Sequence, residues 1–173
     1  MKSIAQTLLA EFEVQAPLTR KFLERLPESK LSWKPSEKSM TAGQLAYHLA
    51  TVPSGIARAI QQDVMEAPDF QFPEPKTVAE ILKAHDEGAT VVRELLSKMS
   101  DETMNATWRL MHQGQELMAT PRKNFVRDVM LSHWYQHRGQ FSVFLHILGV
   151  PVPATWGPSA DEPPVFMQKK QVA

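Results

Sequence analysis

Two histidines stand one helical turn apart in the stretch Leu131-Ser132-His133-Trp134-Tyr135-Gln136-His137-Arg138-Gly139-Gln140. A third, His48, lies in an earlier segment, Gln44-Leu45-Ala46-Tyr47-His48-Leu49. On a helix, positions i and i+4 are neighbours, with Cβ atoms about 5–6 Å apart. Two imidazoles so placed can grip one divalent ion. A third from another helix completes a three-nitrogen face and leaves coordination positions open, the pattern of a metal site that does chemistry. Imidazole ligation suits zinc, nickel, copper or iron(II) and does not choose among them.

The competing reading is a set of core histidines satisfied by hydrogen bonds. It suits a lone histidine on an apolar face better than three together, because clustered imidazoles repel on protonation and leave polar nitrogens in need of partners. The residues alone leave both readings open. The zinc-protease motif is absent, since Trp134 stands where that motif has glutamate. The only carboxylate of the last predicted helix, Asp128, falls away from the histidine face. Without a protein base nearby, an ion would itself have to activate a water or a thiol by lowering its pKa.

Other residues near the histidines have weaker claims. Gln140, one turn beyond His137, is placed to hydrogen-bond a ligand ring. Tyr47, Trp134 and Arg138 are candidates for the border of a substrate pocket, although aromatic packing accounts for the first two and a solvated position for the third. His85 sits on the apolar stripe of the third predicted helix. It reads as a satisfied core histidine before it reads as a pocket residue. His112 is expected to be exposed and His146 peripheral.

Four segments with helical periodicity must position these groups, and each has a start signal. Ser3 with Gln6 opens a helix over 3–26, Thr41 with Gln44 one over 41–64, and Thr77 with Glu80 one over 77–99. Thr120 followed by Pro121 reads as N-cap and first helical residue of a helix over 121–149. Gly149 and Pro151 stop it. Pro17 and Pro53 are expected to kink the first two helices. At 1.5 Å per residue such helices would run about 35–43 Å. The expected architecture is all-α, a four-helix bundle in one domain spanning 1–173. Residues 65–76, with three prolines, read as a long crossing connection. Residues 106–119 read as a short β-hairpin turning at Gln113-Gly114. The tail from residue 150 is expected to pack as extended chain around Trp156. On the last helix, with His133 at zero, His137 falls at about 40° and Gln140 near −20°, by 100° per residue. Both histidine sets therefore face inward.

Composition narrows the class. Nineteen basic residues balance nineteen acidic ones, so no basic field exists to attract nucleic acid. No cysteine is present, which excludes disulfides, thiolate ligands and a cysteine nucleophile. Any thiol chemistry needs a thiol brought from outside. The lack of cysteine fits a cytoplasmic protein. Charged residues interleave the apolar ones at the start, unlike a signal peptide, and no apolar run approaches a membrane span.

The segment from Pro121-Arg122 through His133–Gln140 to Leu148-Gly149-Val150-Pro151-Val152-Pro153 and Trp156–Glu162 resembles the DinB-like (YfiT-like) superfamily of metal-dependent enzymes. The segment Gln44–Leu49 is similar to that family's first-histidine motif, and Trp33-Lys34-Pro35 to the loop before it. The resemblance spans nearly the whole chain. It implies a four-helix bundle holding a divalent metal, nickel or zinc foremost and manganese or iron less so, on His48, His133 and His137. It also implies a homodimer, and thiol-dependent S-transferases or isomerases among the relatives. His146 stands where the family pattern has arginine and Trp156 where it has tyrosine; neither belongs to the ligand set. The function expected is activation of a low-molecular-weight thiol or water for transfer to an electrophilic small molecule. A metal-dependent hydrolase and a non-catalytic metal-binding stress-response protein are the alternatives.

Overall fold

The computed structural model describes residues 2–69 and 71–168. Three long helices come first in the chain: α1 (Ile4–Glu24), α2 (Ala42–Ala59) and α3 (Val78–Leu96). A short helix α4 (Asp101–Asn105) and two strands, β2 (Thr107–His112) and β3 (Gln115–Pro121), lead to a final helical rod. That rod runs through α5 (Arg122–Phe125), a π-helical stretch Val126–Ser132 and α6 (His133–Ile147). The remaining strand is β1 (Val64–Glu66), between α2 and α3.

The helix starts follow local chemistry. Ser3 and Thr41 each make a reciprocal capping box with Gln6 and Gln44. Each box satisfies backbone donors that the first turn leaves unpaired. Thr77 Oγ1 accepts from the Glu80 amide, while the Glu80 carboxylate accepts from Lys76 N–H instead. Ser100 caps α4 through the Thr103 amide, a start the sequence reading missed. Pro17 and Pro53 both lie inside their helices.

α3 packs on α2 and α1, and α6 with the π stretch closes on α2. The core between them holds Phe12, Leu23, Leu45, Leu49, Ile81, Trp134 and Phe141. Phe12 and Trp134 stack with ring centroids 5.4 Å apart. α3 meets α2 closely at Gly88, where a Cβ would lie 3.2 Å from the Ala50 carbonyl. A larger residue there would push the two helices apart.

The fold is mostly helical but not all-α. The expected hairpin is present, with β2 and β3 antiparallel and a bulge at Leu110/Met111. Its turn places Gln113 at φ 48° and Gly114 at φ 79°, the paired left-handed residues of a primed two-residue turn. β1 adds to the hairpin in parallel, Val64 opposite Arg109 and Glu66 opposite Met111. The result is a three-stranded sheet in the order β1-β2-β3.

That third strand corrects the expected extent of the second helix. α2 stops at Ala59, well short of residue 64, and Val64–Glu66 pair with β2 instead. Arg122 explains the stop. It is 2% exposed, and its guanidinium donates to the carbonyls of Ile60 (2.8 Å), Gln62 (3.0 Å) and Ala106 (3.3 Å) and pairs with Asp63. A cation here satisfies carbonyls that the helix end leaves free and complements its dipole. The last helix also begins later than expected. Thr120 and Pro121 end β3, opposite Trp108 and Thr107, and the helix starts at Arg122 without a side-chain cap. At the other end the tail docks through buried Val152 and Ala154, not around Trp156, which is 56% exposed. Ser159 Oγ donates to Val152 O, and Asp161 accepts from Val152 N–H.

Candidate metal centre

α2 supplies His48 and α6 supplies His133 and His137. One ring nitrogen from each lies within 4.8 Å of the other two. The ring centroids stand 5.4 Å (His48–His133), 4.7 Å (His48–His137) and 4.4 Å (His133–His137) apart. All three rings are half-buried. Phe72, from the loop after β1, meets the His48 ring edge-on at 5.8 Å.

The hydrogen bonds decide which nitrogens face inward. His133 Nδ1 lies 3.3 Å from the Val129 carbonyl, which can only accept, so this nitrogen carries the proton. His137 Nδ1 lies 2.9 Å from Gln140 Oε1, again an acceptor. In the neutral rings both Nε2 atoms then hold bare lone pairs, and they face each other at 2.8 Å. Two acceptors in contact repel unless a cation lies between them. A proton on His133 would serve, but burial and the neighbouring His137 oppose it. Burial, then His137 and His133, pushes the His48 pKa down to about 4. Burial and His137 likewise lower that of His133, against a smaller opposing effect of the Val129 carbonyl. Three imidazole nitrogens within 4.8 Å of one another form the kind of all-nitrogen face that a divalent ion takes.

The backbone prepares this arrangement in two ways. First, the π register frees an acceptor. His133 N–H donates five residues back, to Asp128 O, rather than to Val129 O. The Val129 carbonyl is thereby open to the His133 ring. π-Helical turns recur at functional sites for such reasons. Second, Pro53 has no N–H, so the Leu49 carbonyl one turn earlier lacks its helical partner. Trp134 Nε1 fills that gap at 2.8 Å. This bond joins the residue after His48 to the residue after His133, and so fixes the spacing of the two ligand helices.

Trp134 is thus 1% exposed and belongs to the core, not to a pocket border. Tyr47 is half-buried against the core and does not line the cavity beside the triad. His85 is 5% exposed and also lies off that cavity. Its Nδ1 meets Asp86 at 3.0 Å, and its buried Nε2 has no partner among the described residues, so it is only half satisfied. Arg138 turns toward α1, donating to Gln15 Oε1 (2.8 Å) and Thr19 Oγ1 (3.2 Å) and covering the Tyr135 ring. His112 is exposed. His146 is exposed too and meets Asp161 at 3.5 Å.

A cavity of about 480 Å³ opens against His48 and His133. α2 forms one wall with Val52, Ile56 and Ala59. The sheet adds Met65, Trp108, Leu110 and Met118, and the last helical rod adds Phe125 and Val129. The alternation of Trp108 and Leu110 along a strand was visible in the sequence; that they face the histidines was not.

Comparison with known proteins agrees with this geometry. The sequence profile of the DinB family matches residues 1–169. The chain belongs to the DinB family. It is 25% identical over 155 residues to the uncharacterized protein YrdA of Bacillus subtilis (strain 168), covering 89% of each chain. Among solved structures it is similar to a DinB-like protein from Bacillus cereus ATCC 10987, with TM-score 0.67 and 22% identity over 86% of this chain and 95% of that one. The DinB-like protein YjoA of Bacillus subtilis gives TM-score 0.64 and 20% identity, over 85% and 96%. A mycothiol-dependent maleylpyruvate isomerase gives TM-score 0.54 and 12% identity, over 91% of this chain and 66% of that one. Likenesses at such identities establish the fold alone. No helix of the described residues is long and apolar enough to cross a membrane.

Proposed function

We propose that this DinB-family chain binds a divalent metal ion, nickel or zinc before manganese or iron(II), on His48, His133 and His137, and catalyses transfer of a small thiol to an electrophilic small molecule. The observation that carries the metal assignment is the approach of the His133 and His137 Nε2 atoms to 2.8 Å, with His48 closing the third side. When bound, the ion supplies a Lewis acid that lowers the pKa of a thiol or water at neutral pH. The protein's own part is to hold three imidazoles in place, with Val129 O and Gln140 Oε1 orienting two of them. The walls of the adjoining cavity give one side of the site an apolar border.

In the reaction proposed, the thiol gives up its proton to solvent, its sulfur bonds to the electrophilic carbon, and the leaving group departs with the bonding pair. The chain has no cysteine, so the sulfur comes from a cosubstrate. Support for a thiol rather than water comes from the family resemblance and from the mycothiol-dependent neighbour. The same resemblance carries the four-helix-bundle reading of the packed helices and a homodimer into this proposal; the chain length adds a single domain over 1–173, and the lack of cysteine a cytoplasmic setting.

The test is conjugation of a panel of low-molecular-weight thiols to a chloronitrobenzene electrophile. Metal-dependent product that disappears in His133→Ala supports transfer. Turnover without any thiol, rising with pH, would replace it with a hydrolase. A metal-loaded protein inert in both assays, and unfolded by chelation, would mean that the ion serves the fold instead.

A further inference from the structure

The cavity beside the triad is chemically one-sided. Among the described residues that line it, none is charged. Its polar groups are nearly all committed elsewhere: Thr51 Oγ1 donates to Tyr47 O, and Trp108 Nε1 donates to Ala59 O. Only the His48 and His133 rings present unspent polarity, and both lie at the triad end. The remaining wall is aliphatic, aromatic and thioether surface, including Val52, Ile56, Leu110, Met118, Phe125 and Val129. At about 480 Å³ the space falls within the range of small-molecule sites, roughly 300–1,000 Å³.

We propose that this cavity binds the apolar body of an uncharged small molecule and presents its reacting end to His48 and His133. This inference rests on the metal-site reading for which end reacts, and it assigns the cavity to the electrophile. A carboxylate, phosphate or ammonium buried against this wall, away from the triad end, would lose its hydration and meet no opposite charge or free donor. Small biological thiols, polar and often charged, fit the wall poorly for the same reason, so the thiol approaches the triad from outside the cavity. Methionines at 65 and 118 give the wall side chains that re-pack around ligands of varied outline. The cavity therefore selects by polarity more than by shape.

The cavity can be closed without disturbing the core. Gly55 lines its mouth, and a Cβ there would meet nothing within 4 Å. Gly55→Phe adds bulk at the mouth with no clash at its Cβ. Leu110→Glu sets a carboxylate on the opposite, strand-built wall.

Metal-free protein would be titrated with the neutral fluorophore N-phenyl-1-naphthylamine, whose emission rises in an apolar site. Saturable one-to-one binding is expected, weakened at least tenfold in Gly55→Phe and Leu110→Glu, each checked for fold by circular dichroism. 4-Phenyl-1-butanol should displace the probe at least tenfold better than 4-phenylbutyrate at pH 7.5. Absence of saturable binding would overturn the proposal. So would displacement by the carboxylate as strong as by the alcohol, or binding unchanged in both folded variants. The competitor pair decides the question even where a variant fails to fold. If the metal reading alone fails, probe binding persists while metal content is nil; if the cavity proposal alone fails, metal content is intact.

Discussion

At the scale of single residues, the site depends on which nitrogen of each imidazole is free, and this is set by residues that never touch an ion. Gln140 holds His137 through Nδ1. Gln140→Leu should keep the metal-free protein's thermal stability and weaken metal affinity by about 10–100-fold, the usual effect of losing a ligand's hydrogen-bond partner; competition against a chelating dye measures it. Trp134→Phe should cost about 1–3 kcal/mol in denaturant unfolding, because it strands the buried Leu49 carbonyl. The histidines and Gln140 were legible from spacing on an ideal helix, since within α6 the helix is close to ideal. The role of Trp134 was not. Pro53 announced that a carbonyl would lack its partner, but nothing along the chain said which distant donor would answer. Arg138 escaped for a related reason: its partners, Gln15 and Thr19, come from a helix whose rotation against α6 is set by packing alone.

At the scale of elements, the joints carry the positioning. Arg122 ties the end of α2 to the start of the last helical rod through carbonyls of both neighbouring loops. Arg122→Met keeps the bulk and removes the donors. It should destabilise by at least about 2 kcal/mol, as buried carbonyls lose charge-assisted bonds worth about 1.5–3 kcal/mol each to stability. It should also weaken metal binding, because His48 and His133 ride on the two elements it joins; equilibrium unfolding and metal titration check the two effects separately. Helix starts were readable because Ser3, Thr41 and Thr77 write their caps locally. The end of α2 was not, because Ile60 and Val64, four residues apart, continue a plausible helical stripe, and only the distant Arg122 and the pairing of Val64–Glu66 with β2 divert the chain. The π stretch has no composition of its own either. It is a register chosen by the fit of Val126, Met130 and Leu131 into the core, all fully buried.

At the scale of the whole molecule, α1 is fastened to the rod that carries the site by Glu11. Its carboxylate accepts from both terminal Arg127 guanidinium nitrogens at 2.8 Å and from the Tyr135 hydroxyl at 2.9 Å. The hydrogen bond from Arg127 holds the Glu11 pKa below the ordinary carboxylate range, against a smaller opposing effect of burial. A depressed acid pKa stabilises fully above the unfolded value, about 4.3. As pH falls below that value the unfolded chain takes its proton first, so the contribution fades and is gone below the folded pKa. Glu11→Gln should thus lose no more than about 1 kcal/mol at pH 7, given the partial exposure of the pair. The gap from the parent should narrow as pH falls below about 4.3 and close once it passes the lowered folded pKa, as followed by urea unfolding. The family and the helical character were visible in the linear sequence through the two histidine motifs and the caps. The apolar cavity was not, because it is built from α2, the sheet and the last rod together, and no single segment contains its shape.

The central claim is that His48, His133 and His137 hold one divalent ion. The most direct measurement is metal content by mass spectrometry on protein purified without a histidine tag, beside His48→Ala, His133→Ala and His137→Ala. Near-stoichiometric nickel or zinc in the parent, lost in each folded variant, is the predicted result. A parent that stays metal-free after incubation with nickel, zinc, manganese and iron(II), or variants that retain the full complement, would contradict it.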